Sequence, residues 1–164
     1  MKKRFTVLGL VLVLAGTAGW ALAGGSKSSK VAYPEGYRQW THVKSMVIQK
    51  GHPLENPFQG IHHIYANPKA EKGYQSGKFA KGSVLVFDLL NAQSGGSALV
   101  EGARKLVGVM VKDDQKYKNT GGWGFEGFAG DSSTKRLVQD GGVGCYQCHT
   151  AKKNNDFVFS GFRK

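Results

Sequence analysis

Short runs of β-branched and aromatic residues, cut apart by glycine, restrict this chain to a sheet. Val43 to Ile48, Ile61 to Ala66, Ser83 to Leu90, Leu106 to Val111, Trp123 to Phe128 and Phe157 to Phe162 all favour side chains that fit a pleated surface. Breaks such as Gly95-Gly96 and Gly121-Gly122 separate them. The 24 glycines suit turns and bulges, and the heptads of a helical bundle are absent. Helix signals are few. Asn67 is a good N-cap, Pro68 fits the first helical position, Lys69 to Gln75 can continue, and Gly77 stops the run. A second helix is expected over Ala98 to Lys105 and a short one around Cys145 to His149. The expectation is a mainly β (α+β) domain, an antiparallel sheet with a few short helices.

The N-terminus reads as an export signal. Met1-Lys2-Lys3-Arg4 is cationic, Val7 to Ala15 is apolar, and Ala21-Leu22-Ala23 has the small-x-small pattern of a leader-peptidase site. Residues 1–23 are therefore expected to be removed, leaving no membrane span, and the mature chain is expected in the periplasm. Residues 24–33 are small and polar and read as a flexible segment. Residues 34–164 then form one domain, since the mature length supports one modest core and not two. Loss of the leader's three basic residues takes the formal net charge from +12 to +9. That balance favours acidic protein partners or anionic surfaces, with no nucleic-acid role expected outside the cell.

Two cysteines in an oxidising compartment would ordinarily suggest a disulfide. Here they are Cys145 and Cys148, followed at once by His149. This is the spacing of covalent haem attachment, in which two thiols add to the two vinyl groups and the histidine lies beneath the iron. A thioredoxin-like pair would open a helix in an α/β fold, and a zinc site would need a second pair of ligands. One haem c is expected, with Cys145 and Cys148 as covalent links and His149 as the iron ligand. The opposite face decides function, since electron carriers fill it with Met or His and gas binders leave it open. Met46, Met110, His42, His52, His62 and His63 are the candidates, and composition leaves the choice among them open. The two methionines lie in apolar runs that suit core packing. His62 and His63 point to opposite faces of one strand, so at most one can face the haem.

Further motifs run the length of the domain: Pro34-x-x-Tyr37-Arg38-x-Trp40, Pro57-Phe58, Ile64-Tyr65-x-x-Pro68, and Gly77-Lys78-Phe79-x-x-Gly82-Ser83-Val84. Val111-Lys112-Asp113, Trp123-x-Phe125, Cys145-x-x-Cys148-His149 and Asp156-x-Val158-Phe159 complete the series. In this order, from about Tyr37 to Phe162, the chain resembles the cytochrome P-460 superfamily. The resemblance implies that family's antiparallel haem-binding sheet and a homodimer.

Two branches of that superfamily make different chemistry. The hydroxylamine-oxidising branch carries a lysine cross-linked to the haem and a distal carboxylate that assists proton removal. At the matching positions this chain has Phe87 and Gly108. Lys78 and Lys81 both precede the strand that holds Phe87. The chain looks more like the cytochrome c′-beta branch, in which phenylalanines cap an open iron. The resemblance then implies that Phe58 and Phe87 line the distal pocket and that the ligand is nitric oxide or another diatomic gas. It also implies scavenging, buffering or transport, no catalytic residue, and possible redox partner proteins. A hydroxylamine-oxidising enzyme and a simple electron-transfer cytochrome are the alternatives.

Overall fold

A computed structural model describes residues 30–163. The expected leader, 1–23, and the first part of the 24–33 segment lie outside the described residues.

Five strands make one antiparallel sheet in simple chain order: β1 (Thr41–Ile48), β2 (Gly60–Ala66), β3 (Val84–Gly95), β4 (Ala98–Lys112) and β5 (Trp123–Ala129). Three α-helical pieces accompany it: α1 (Glu55–Phe58), α2 (Pro68–Ser76) and α3 (Val143–His149). The mainly β expectation is met. No described helix is long and apolar enough to cross a membrane.

The α2 boundaries follow their signals. Asn67 Oδ1 accepts the Ala70 N–H at 2.9 Å, Pro68 opens the helix, and Gly77 ends it at φ 73°. Asn67 also accepts from Val84 N–H and donates to the Gly82 carbonyl, both at 3.0 Å, so one side chain ties the helix start to β3.

Two expectations fail. Ala98 to Lys105 is not a helix but the first half of β4. Gly96 takes φ 62° as the first of two turn residues between the partners Gly95 and Ala98, and the chain folds back along β3. Ladder pairing over that hairpin outweighs the helix propensity of the segment. Phe157 to Phe162 is not a strand. Asp156 and Phe157 both adopt left-handed backbone, at φ 46° and 64°, which turns the chain away from the sheet.

Each face of the sheet carries a core. On one, Val43, Ala66, Leu85, Trp123 and Phe125 pack with Ala70, Phe79 and Val158. On the other, Tyr65, Val86, Val107, Val109 and Phe128 pack beneath Val31 and Tyr37, so ordered packing begins before Pro34. Residues 135–138 run along the outer edge of β5. Lys135 O accepts from Ala129 N–H at 2.9 Å, and Leu137 N–H donates to Gly127 O at 2.8 Å. That contact protects an otherwise open edge.

Candidate haem site

The first face of the sheet collects the residues of interest. Alternation along the strands puts Ile64 and His62 of β2, Leu85 and Phe87 of β3, Gly108, Met110 and Lys112 of β4, and Trp123, Phe125 and Gly127 of β5 on one side.

α3 lies against this face. Asp140 fixes its start by accepting from Gly142 N–H at 2.9 Å and Gly144 N–H at 2.7 Å, and those bonds hold its carboxyl below the usual range. Gly142 has φ 89°, and a Cβ there would lie 3.0 Å from the Phe125 Cβ. Only glycine lets the helix approach β5 this closely. Cys145 and Cys148 are three apart on the helix, so both thiols share a side. Both are free. Cys145 is half-buried, and burial pushes its thiol pKa up, while Cys148 is exposed. Among the described residues no three His, Cys, Asp or Glu side chains converge as a metal-ion ligand set.

His149 sits between rings. Phe125 is 5.1 Å away, and Phe159 meets it edge-on at 5.0 Å. Its Nδ1 donates to the Phe157 carbonyl at 2.7 Å. A carbonyl accepts only, so Nδ1 carries the proton and the Nε2 lone pair is free to bind a metal. Burial is the first cause of its lowered pKa, opposed by the bond to Phe157 O. The neutral, ligand-ready form is therefore favoured.

Farther along the same face Phe58, at the end of α1, meets Phe87 edge-on at 5.6 Å. Gly108 is the direct cross-strand partner of Phe87, and Gly127 is the partner of Gly108. A Cβ at 108 would lie 3.4 Å from the Phe87 Cβ, so any side chain there would share the space in front of Phe87. The neighbouring carboxylates Asp88 and Glu126 project from the opposite face, where Arg104 and Arg136 pair with them. Phe87 therefore faces Gly108 with no carboxylate beside it.

The six candidate sixth ligands separate. Met46 and His52 are exposed, and Met110 packs into the core beside Leu85 and Phe125. His42 and His63 lie on the far face. There Ser45 Oγ links them at 2.9 and 2.6 Å, and His63 Nε2 contacts Glu101 at 2.6 Å. Of the four histidines, His62 shares the face of Phe87, with ring centroids 4.5 Å apart, and its cross-strand partner Met46 and Met110 lie on that face too. His62 is 5% exposed, its Nδ1 has no hydrogen-bond partner, and burial, aided by His63 and Lys44, lowers its pKa to about 4. Alternation could place His62 on this face, but nothing in the sequence marks it as buried and unpartnered. Lys78 is exposed and Lys81 pairs with Asp113 at 3.3 Å, so neither takes the place of Phe87.

The residues present fit a haem. Two free thiols and a histidine with a free Nε2 come from one short helix. Gly108 and Gly127 add no side chain of their own to this face, and Leu137 lies over Gly127. Val143 and Phe159, 45% and 47% exposed, are apolar surface beside the cysteines that a haem would cover. Sequence reasoning missed Phe125 and Phe159 as ring walls and the Phe157 carbonyl as the partner of His149. Only the two-residue spacing of Trp123 and Phe125 hinted at the first.

A family model described as Cytochrome P460 matches residues 34–160. A comparison with curated proteins finds no match.

Proposed function

The chain belongs to the cytochrome P460 family, and from that premise we propose that it is an exported mono-haem c-type cytochrome whose open, phenylalanine-capped site binds nitric oxide. The family match carries the coarser part, that this is a haem-binding cytochrome. Cys145 and Cys148 would hold the haem covalently, and His149 Nε2 would bind its iron from the proximal side. The haem supplies an iron that can accept a diatomic ligand. The chain decides what reaches it.

The observation that carries this reading is the pairing of Phe87 with Gly108. Residue 87 presents an aromatic ring 5.6 Å from that of Phe58, and residue 108 presents nothing. Rings of this kind exclude water and offer neither a proton acceptor nor a strong donor. A small, weakly polar gas fits such a space, while anions that need hydrogen bonds do not. The hydroxylamine-oxidising alternative would need a base at this place to take the substrate proton as electrons leave. Neither residue 87 nor residue 108 can act as one.

In this reading the mature chain works in the periplasm as a homodimer, scavenging, buffering or carrying nitric oxide. Its basic surface favours an acidic redox partner. Anaerobic addition of nitric oxide to the ferrous protein, followed by absorption, tests the proposal. A saturable spectral change at one equivalent per haem is expected. An unchanged spectrum refutes it, as does a tryptic peptide carrying haem on a lysine in addition to the Cys145–Cys148 peptide.

A further inference from the structure

Behind His149 the chain is held in a conformation it would not choose. Asp156 and Phe157 are consecutive non-glycine residues at φ 46° and 64°, and for the bulky Phe157 left-handed backbone is disfavoured. Such geometry persists only where neighbours over-determine it.

Four bonds do so here. Asp156 Oδ1 accepts from Lys112 Nζ at 2.8 Å, and Oδ2 accepts from Phe79 N–H at 3.0 Å. The Asp156 carbonyl accepts from Trp123 Nε1 at 2.9 Å, and Phe157 N–H donates to Lys152 O at 2.9 Å. Lys112 is itself fixed. Its side chain is 7% exposed, contacts Asp114 at 3.2 Å, and lies 5.3 Å from the centre of the Trp123 ring. Gly121 clears the space beside the turn, since a Cβ there would fall 2.7 Å from the Phe157 ring and 2.9 Å from Tyr146.

The turn delivers one group to the site, the Phe157 carbonyl, 2.7 Å from His149 Nδ1. We propose that the Lys112–Asp156 pair is a positioning device for the proximal histidine: it holds the Asp156–Phe157 turn so that the Phe157 carbonyl fixes the tautomer and basicity of His149. This rests on the assignment of His149 as iron ligand. Lys112 and Asp156 touch neither iron nor gas, and they act through the carbonyl. A hydrogen bond at Nδ1 makes an imidazole a stronger donor, which favours the ferric state. Loosening the turn should therefore weaken the iron–histidine bond and raise the reduction potential.

Asp156→Asn is the sharpest variant. Asparagine tolerates left-handed backbone well, so the substitution removes the ion pair and spares the local conformational preference. Lys112→Gln reads the same contact from the other side. Both are examined as holo-proteins by resonance Raman of the ferrous form and by redox titration. The iron–histidine stretch should fall in frequency in both variants. The ferrous-to-ferric ratio at fixed potential should rise about tenfold, or about 59 mV for a one-electron couple. A stretch and potential unchanged in both variants overturn the positioning role, whatever happens to thermal stability. A wild-type ferrous protein with no iron–histidine stretch overturns instead the reading of a five-coordinate iron held by His149, so the two failures are told apart.

Discussion

Replacing His62 by leucine should change how stability depends on pH, by an amount the structure sets. His62 is buried against Phe87 with its Nδ1 unpartnered, and its pKa is lowered to about 4 from an ordinary 6.5. The folded protein therefore resists protonation that the unfolded chain accepts. Between these two pH values the unfolded state binds one more proton at this residue, so stability rises with pH across that window. The contribution is fully present above the unfolded pKa, declines as pH falls through the window, and is lost below the folded pKa. At about 1.36 kcal/mol per pKa unit, the difference amounts to about 3 kcal/mol. His62→Leu abolishes this titration. At neutral pH the variant sheds an unsatisfied polar atom, worth about 1–3 kcal/mol, and loses a ring contact worth about 0.5–1.5 kcal/mol. The two proteins should then differ modestly at pH 7 and increasingly below it. Urea unfolding at a series of pH values reads the gap directly. With a slope of about 1–3 kcal/mol/M, the midpoints should separate by a further 1–3 M, roughly, on going from pH 7 to pH 4. The difference between the proteins is the relevant quantity, because carboxylates such as Asp113 and Asp140 titrate in both. A gap that stays constant with pH would refute the buried, neutral His62 on which this reasoning rests.

Other substitutions probe the frame around the site. Gly121→Ala combines a left-handed backbone cost of about 1–2 kcal/mol with overpacking of about 1–3 kcal/mol against Phe157 and Tyr146. It should destabilise by about 2–5 kcal/mol in urea titration, and a loss under 1 kcal/mol, roughly, would show the rings yield freely. Asn67→Ala removes a cap that also bonds β3, so its cost should reach about 1–3 kcal/mol in the same assay. Phe87→Lys puts a cation where Phe58 and His62 now pack. The visible spectrum and the nitric oxide response should both change, and unchanged spectra would remove Phe87 from the distal site.

Local sequence signals account for the frame better than for the site. Asn67, Pro68 and Gly77 act within a few residues of one another, so α2 is readable from spacing. Period-two alternation correctly separates His62 from His63. It fails where distant pairing decides: Ala98 to Lys105 has helix-forming residues, yet the Gly96 turn commits it to β3. Phe157 to Phe162 has strand composition, but its first residue is bent by bonds from Lys112, Phe79 and Trp123, all remote in sequence. The site shows the same division. Cys145, Cys148 and His149 are adjacent, and α3 alone brings them together. Phe58 and Phe87 belong to elements far apart in sequence, the end of α1 and the middle of the sheet in β3, and no periodicity encodes their contact. The family resemblance pointed to both residues, and the ring geometry gives the contact its physical form.

The central claim is that Phe87 and Phe58 guard an iron with no protein ligand on their side. The absorption spectrum of the purified holo-protein, in the ferric and ferrous states without added ligand, tests this most directly. The account predicts high-spin spectra of an iron bound by His149 alone among the side chains. Low-spin spectra in both oxidation states, with His62 or a methionine on the distal side, would contradict it.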